Sequence, residues 1–185
     1  MIVGGTDIET TGFLKPEHRM VELCLQKWKL DTVTFDAELI FNETWRINPE
    51  RSIPEAAFAV HKISSDDVAS APTWAECSPY ILAQWGDVDL AVAHNGNEFD
   101  RPFINMECER IKVPTPRFIL NPWFDTMLSS RWATTWGKVP TLEELCFACD
   151  VPYDGERSHA ADYDVTVMMK CFFFGLKRGF FTLPT

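Results

Sequence analysis

Three strand-length segments precede any helix-length one in this chain, and that order limits the folds open to it. Ile2 to Glu9 is short and mostly apolar, and Thr10-Thr11-Gly12 breaks it. Val21, Leu23 and Leu25 then alternate with Glu22, Cys24 and Gln26, the period-2 pattern of a strand. Asp36 to Ile47 supplies a third strand and stops at Asn48-Pro49. Short turns between the three predict an antiparallel meander.

The periodicity then changes. Pro54 to Val60 and Ser64 to Ala69 predict short helical turns, and Thr73 to Trp85 a longer helix between Pro72 and Gly86. Leu90 to Ala93 reads as a compact buried strand running into His94-Asn95-Gly96, and Asp100 to Ile111 as a helix ended by Pro114 and Pro116. Phe118 to Phe124 predicts a fifth, irregular strand, followed by a helix from Asp125 to Trp132. Thr141 and Glu144 have capping-box spacing for a helix to about Cys149. A last helix is expected from about Ala160 to Lys177, with Val165, Met168, Met169, Phe172 and Phe173 on its packed side. The order βββ-α-β-α-β-α predicts an α/β fold, a mixed sheet covered by helices on both sides, with residues 1–185 as one domain.

Composition narrows the classes of function. A formal charge of −10 argues against a protein that simply coats nucleic acid, because phosphate binding relies on Lys and Arg. It does not exclude a nuclease, since charges beyond a Debye length of about 8 Å are largely screened at physiological salt. No apolar run reaches the ~18–20 residues of a membrane span, and no secretory signal is visible, so a cytoplasmic location is expected. Cys146 and Cys149 form a C-x-x-C without a second pair or histidine at zinc spacing, which predicts core packing rather than a metal site. Trp28, Trp45, Trp74 and Trp85 fall in expected strands or helices and read as core. Trp123, Trp132, Trp136 and the phenylalanines at 172–174 and 180–181 suit either core or interface.

Asp7 and Glu9 stand at i and i+2 near the end of the first strand. Both carboxylates therefore leave the sheet on one side, with Cα atoms roughly 7 Å apart. Two acids on an apolar strand repel unless a cation compensates, and hard oxygen ligands of this kind suit Mg²⁺ or Mn²⁺. Alone, the pair reads rather as a strand ending in solvated acids. Asp100 follows another buried strand, and strand ends on one edge of an α/β sheet converge. The segment His159-Ala160-Ala161-Asp162-Tyr163-Asp164 adds a histidine and a further acid. On a continuous helix His159 and Asp164 would point about 140° apart, so they share a site only if His159 lies in the loop before the helix.

Together these segments resemble the motifs of the DEDDh 3′→5′ exonucleases, which have the RNase H-like fold. Asp7-Ile8-Glu9-Thr10-Thr11-Gly12 is similar to their first motif, His94-Asn95-Gly96-Asn97-Glu98-Phe99-Asp100 to the second, and His159-x-Ala161-x-x-Asp164 to the third. The resemblance covers nearly the whole chain and implies a five-stranded mixed sheet flanked by helices. Ile53-Pro54 through Ile63, Pro72-Thr73-Trp74, Asp125-Thr126 and Thr141-Leu142 resemble stretches of the proofreading epsilon and exonuclease X group. Three residues, not two, separate Asn95 from Phe99, a form similar to the three-prime repair exonucleases. That likeness implies single-stranded or frayed DNA 3′ ends as substrate.

The resemblance further implies two Mg²⁺ or Mn²⁺ ions held by Asp7, Glu9, Asp100 and Asp164, with His159 as general base. It places Thr10, Thr11, Gly12 and Phe13 along the terminal nucleotide, with Phe13 as a wedge between bases. Val60 and His61 would meet the terminal base, and Asn95 and Asn97 would lie close to the sugar or a metal-bound water. The same chemistry on RNA, or as a polymerase proofreading subunit, is the alternative. The short stretch after the last helix disfavours a tail-tethered subunit. An inactive partner-binding module would have lost a metal carboxylate, and none is lost. Nothing in the sequence supports a homodimer.

Overall fold

The structure, a computed structural model, describes residues 1–13, 16–114, 116–121 and 123–184. Its centre is one five-stranded sheet in the order β3-β2-β1-β4-β5. The strands are β1 (Ile2–Thr10), β2 (Met20–Leu30), β3 (Ala37–Arg46), β4 (Leu90–Ala93) and β5 (Phe124–Asp125). The first three form the expected antiparallel meander, while β4 lies parallel to β1, and β5 parallel to β4. The helices are α1 (Glu55–His61), α2 (Ser65–Val68), α3 (Trp74–Ala83), α4 (Asp100–Arg110), α5 (Arg117–Leu120), α6 (Thr126–Ser129), α7 (Leu142–Ala148) and α8 (Ala161–Arg178). This is the five-stranded mixed sheet flanked by helices that the sequence predicts.

Alternation along the central strands feeds two cores. Leu23 and Leu25 join Ile8, Trp74, Ile81, Phe103 and Ile104 on the α3 and α4 side. Cys24, Val3 and Val92 join Val165, Met168, Met169 and Phe172 on the α8 side. Burying a large apolar side chain stabilises by ~1.5–3 kcal/mol, so a sheet covered on both faces is held mainly by these layers. The polar members of the β2 alternation do not face water. Glu22 and Gln26 retain only 4% and 1% of their exposure beneath α8.

Local signals explain most boundaries. Thr73 with Glu76 and Thr141 with Glu144 make the reciprocal capping boxes that open α3 and α7. Gly179, in the left-handed region at φ 74°, closes α8. The segment 118–124 corrects the sequence reading, although Pro122 lies outside the described residues. Pro116 leads into the helical turn α5, and strand pairing is confined to Phe124 and Asp125. Asp125 then turns its carboxylate onto the N–H groups of Met127 and Leu128, which starts α6 and ends the strand. The helix expected from Asp125 to Trp132 is accordingly the short α6 followed by a 3₁₀ turn, Arg131–Ala133.

All six cysteines are free, and Cys146, Cys149 and Cys171 pack in one buried cluster between α7 and α8. Trp74, Trp85 and Trp123 are core, Trp28 and Trp45 half-buried, and Trp136 fully exposed. Trp132 stacks on Phe180. Among the described residues no helix is long and apolar enough to cross a membrane.

One close approach sets the position of α8. A Cβ on Gly5 would lie 2.6 Å from the Met169 side chain and 3.2 Å from Val165. Overpacking of this kind costs ~1–3 kcal/mol. Gly5→Val is expected to lower unfolding stability by about that amount in urea titration, with the slope of the transition unchanged.

Candidate active site

The pairing of β1 with β4 stops at Gly5 opposite Val92. Beyond it, β1 continues to Thr10 with β2 on one side only, and there Asp7 and Glu9 project on the same face. After β4 the chain turns through Asn95, held at φ 69°, and enters α4 at Asp100. Asp100 thereby reaches the free side of the same strand. From the other direction α8 carries Asp164 in its first turn. All four acids and His159 line one cleft of about 580 Å³.

His159 lies outside α8, in the preceding loop, with its backbone in the left-handed region at φ 62°. Its N–H donates to Asp164 Oδ2 at 2.9 Å. The angular conflict of a continuous helix therefore does not arise, and the imidazole and the Asp164 carboxylate border one space.

Like charge and burial dominate the electrostatics. Asp7 keeps some solvent contact at the cleft but is packed by protein all round. Its carboxyl is raised well above the usual range, first by desolvation and then by Asp100, Glu9 and Asp164. Burial, with Glu22 and Asp164 nearby, pushes Glu9 up to about 9. Asp100 rises to about 7 through burial, although its own N–H and that of Ile8 hydrogen-bond to it and oppose the shift. Asp164 is raised by burial against the lowering effect of the His159 N–H.

Asp100 Oδ1 and Asp164 Oδ1 are buried without a hydrogen-bond partner. An orphaned carboxylate oxygen in a dry site is costly, and a divalent cation is the partner that several such oxygens can share. Among the described residues no three His, Cys, Asp or Glu groups stand at the spacing of a ready-made ligand shell. The acids converge on one cleft and sense one another's charge, without closing on a point.

The remaining expected positions divide. Thr10, Thr11, Gly12, Phe13, Val60, His61 and Asn95 all border the cleft. Thr11 N–H donates to Arg19 O, and the Thr11 hydroxyl lies 3.2 Å from His18 Nδ1, which fastens the loop after β1. Phe13 is 83% exposed, so it is not a core residue. Val60 is exposed, whereas His61 is buried, and its Nδ1 accepts the Ile63 N–H at 3.0 Å. Asn97 is not among the residues that border the cleft; its side chain donates to the Trp123 carbonyl and accepts the Trp123 N–H.

Several contributors escaped sequence reading. Asp125 accepts N–H groups from Asn95 and Asn97 and so ties the turn before α4 to the start of α6. His94 bonds Thr126 and the Pro140 carbonyl, and His18 packs directly under Gly12. His94 and Asp125 fell within stretches that resemble the family, but nothing in the sequence pointed to a bonding partner for either, and His18 was an isolated histidine, too common to assign.

The model of the RNase T-type exonuclease family matches residues 5–172, a span holding every acid of the cleft and His159. This chain belongs to that exonuclease family. The family is one of metal-dependent 3′-exonucleases. Among its relatives, a PolC-type DNA polymerase III of Mycoplasma genitalium is 26% identical over 172 residues, 93% of this chain and 11% of that one. The DNA polymerase III epsilon subunit of Rickettsia prowazekii is 28% identical over 169 residues, covering 90% of this chain and 70% of that one. The chain thus spans about a tenth of the PolC-type relative.

Solved exonuclease structures share the fold. The nuclease domain of 3′hExo, described as a DEDDh family member bound to rAMP, superposes with a TM-score of 0.74 at 19% identity, covering 96% of this chain and 92% of that one. E. coli Exonuclease I in complex with a dT13 oligonucleotide gives a TM-score of 0.78 at 16% identity, over 96% of this chain and 41% of that one.

In this chain the acids of the cleft titrate upward, so the folded state binds more protons than the unfolded one between the ordinary carboxylate range and about pH 9. Stability then falls as pH rises through that window. With chelator present, the melting temperature is expected to decline from pH 5 to pH 9 (roughly the interval between the two states' titrations). Asp7→Asn should flatten that slope and raise the melting temperature at the alkaline end.

Proposed function

We propose that this exonuclease removes nucleotides one at a time from nucleic-acid 3′ ends, preferring single-stranded or frayed DNA. The observation that carries the reading is the convergence of Asp7, Glu9, Asp100, Asp164 and His159 on one cleft, with two carboxylate oxygens left unpartnered. Asp7, Glu9, Asp100 and Asp164 would hold two Mg²⁺ or Mn²⁺ ions through their carboxylate oxygens, the hard ligands that such cations take. Such cations supply stabilisation of the negative charge that grows on the attacking and leaving oxygens.

The chain's own groups do the rest. His159, exposed at the cleft rim and anchored through its backbone to Asp164, accepts the proton of the attacking water. The fastened Thr10–Gly12 segment lines the terminal nucleotide, and Phe13 offers a face on which the penultimate base stacks. Val60 and His61 border the terminal base, and Asn95 the sugar. Stacking on an aromatic tolerates any base, which suits a trimmer without sequence preference.

A polymerase proofreading role has a specific observation in its favour, since the relatives above are a PolC-type polymerase and an epsilon subunit of DNA polymerase III. The same chemistry on RNA is the remaining alternative, decided by whether a 2′-hydroxyl is accepted at the terminal sugar. A homodimer is not part of the proposal.

Purified protein incubated with 5′-labelled DNA and RNA oligonucleotides is expected to give a ladder shortening from the 3′ end, faster on DNA and abolished by chelator. Release of the labelled 5′ end as first product would reverse the polarity. Asp7→Ala should abolish hydrolysis, and His159→Ala should slow it by ~10²–10⁴ while Mn²⁺ binding persists. Phe13→Ala should weaken binding of single-stranded ends by ~1–3 kcal/mol, read as a rise in KM.

A further inference from the structure

Helix α8 brings Asp164 to the cleft, and the side chains of Tyr163 and Asp164 in its first turn bond to the loop before it, accepting the Asp154 N–H and the His159 N–H, rather than to the sheet. Its N-cap is Ala160, which has no side-chain acceptor for the free N–H groups of the first turn. Its packed face is apolar, with Val165, Met168, Met169 and Phe172 against the sheet. Contacts of that kind set how closely the helix approaches the sheet but are non-directional, so a specific orientation of its first turns calls for polar partners.

Two buried polar side chains of β2 face this turn, four residues apart on one side of the strand. Gln26 donates its amide to the Thr166 hydroxyl at 2.7 Å and to the Asp162 carbonyl at 3.4 Å. Its Oε1 has no hydrogen-bond partner among the described residues. An unpaired buried acceptor costs free energy that an apolar residue would avoid, and the bonds made by the N–H₂ group are what offset that cost here. Glu22 sits directly opposite Glu9 in the β1–β2 register. It is paired with Arg46 Nε at 3.0 Å, and the Ala161 N–H at the start of α8 points to its carboxylate.

We propose that Glu22 and Gln26 are positioning residues, a polar clamp from β2 that fixes the first two turns of α8 and so sets where Asp164 meets Asp7 and Glu9. Glu22 supplies the missing cap from a strand remote in sequence, and Gln26 fixes the rotation of the helix through Thr166. Arg46 offsets the Glu22 charge, so the cap does not simply add a fifth unpaired acid behind Glu9. The clamp rests on the metal-site reading given above, because its output is the placement of a metal-binding carboxylate.

The test uses the full chain and Mn²⁺ titration, with circular dichroism confirming the fold of each variant. Thr166→Val, at a half-exposed helix position, removes the Gln26 partner without disturbing the core. It and Gln26→Leu are expected to weaken Mn²⁺ binding about tenfold, the usual scale for groups that orient metal ligands. The two changes combined should weaken it no further, because they break one link. Neither should matter in an Asp164→Asn background. Glu22→Gln keeps an acceptor for Ala161 and should bind Mn²⁺ nearly as the parent does, whereas Glu22→Ala should not. Undiminished Mn²⁺ affinity in Thr166→Val and Gln26→Leu would overturn the clamp alone, as would full losses that persist without Asp164. Failure of the unaltered protein to bind Mn²⁺ would instead overturn the metal-site reading beneath it.

Discussion

Carboxylates that repel one another are gathered here where water is scarce, and much of the surrounding structure is arranged to keep them there. Asp7 and Glu9 come from a strand whose parallel neighbour stops short of them. Asp100 and Asp164 arrive from helix starts on either side. In isolation the arrangement is unfavourable, and its carboxyls are all displaced upward, toward the protonated form. A site that raises the pKa of every acid in it stores strong affinity for whatever positive charge can enter.

The scaffold bears that cost in a dispersed way. Two apolar layers hold the sheet between α3 and α4 on one face and α8 on the other. Backbone hydrogen bonds then fix the pieces that apolar contact leaves free. Asp125 gathers the turn after β4, Arg19 and His18 hold the loop after β1, and the His159 N–H locks the loop before α8. Glu107, itself buried, pairs with Arg19 and Arg110 and accepts the Met20 N–H, which steadies the start of β2 beside that loop.

Much of this was legible in the sequence because it rests on local rules. The spacing of Asp7 and Glu9, the alternation around Leu23 and the Thr141–Glu144 box each specify their own geometry within a few residues. Helix rotation required His159 to lie before α8 if it was to share a site with Asp164, and the structure has it in that loop. What escaped depends on partners distant along the chain. Phe118 to Phe124 looked strand-like from composition, but Pro116 and the Asp125 cap turned all but its last residue away from the sheet. Asn97 sits among site residues yet bonds Trp123, 26 positions later. Glu22 and Gln26 looked like the ordinary polar half of an alternating strand, and only the covering helix shows them to be buried.

The account turns on these acids exchanging protons for divalent cations. Titration of the protein with Mn²⁺ near neutral pH, by calorimetry in buffers of different ionisation enthalpy, counts that exchange directly. The account predicts net proton release on binding, reduced in Glu9→Gln and in Asp7→Asn. Binding that releases no protons, or that is indifferent to both substitutions, would contradict it.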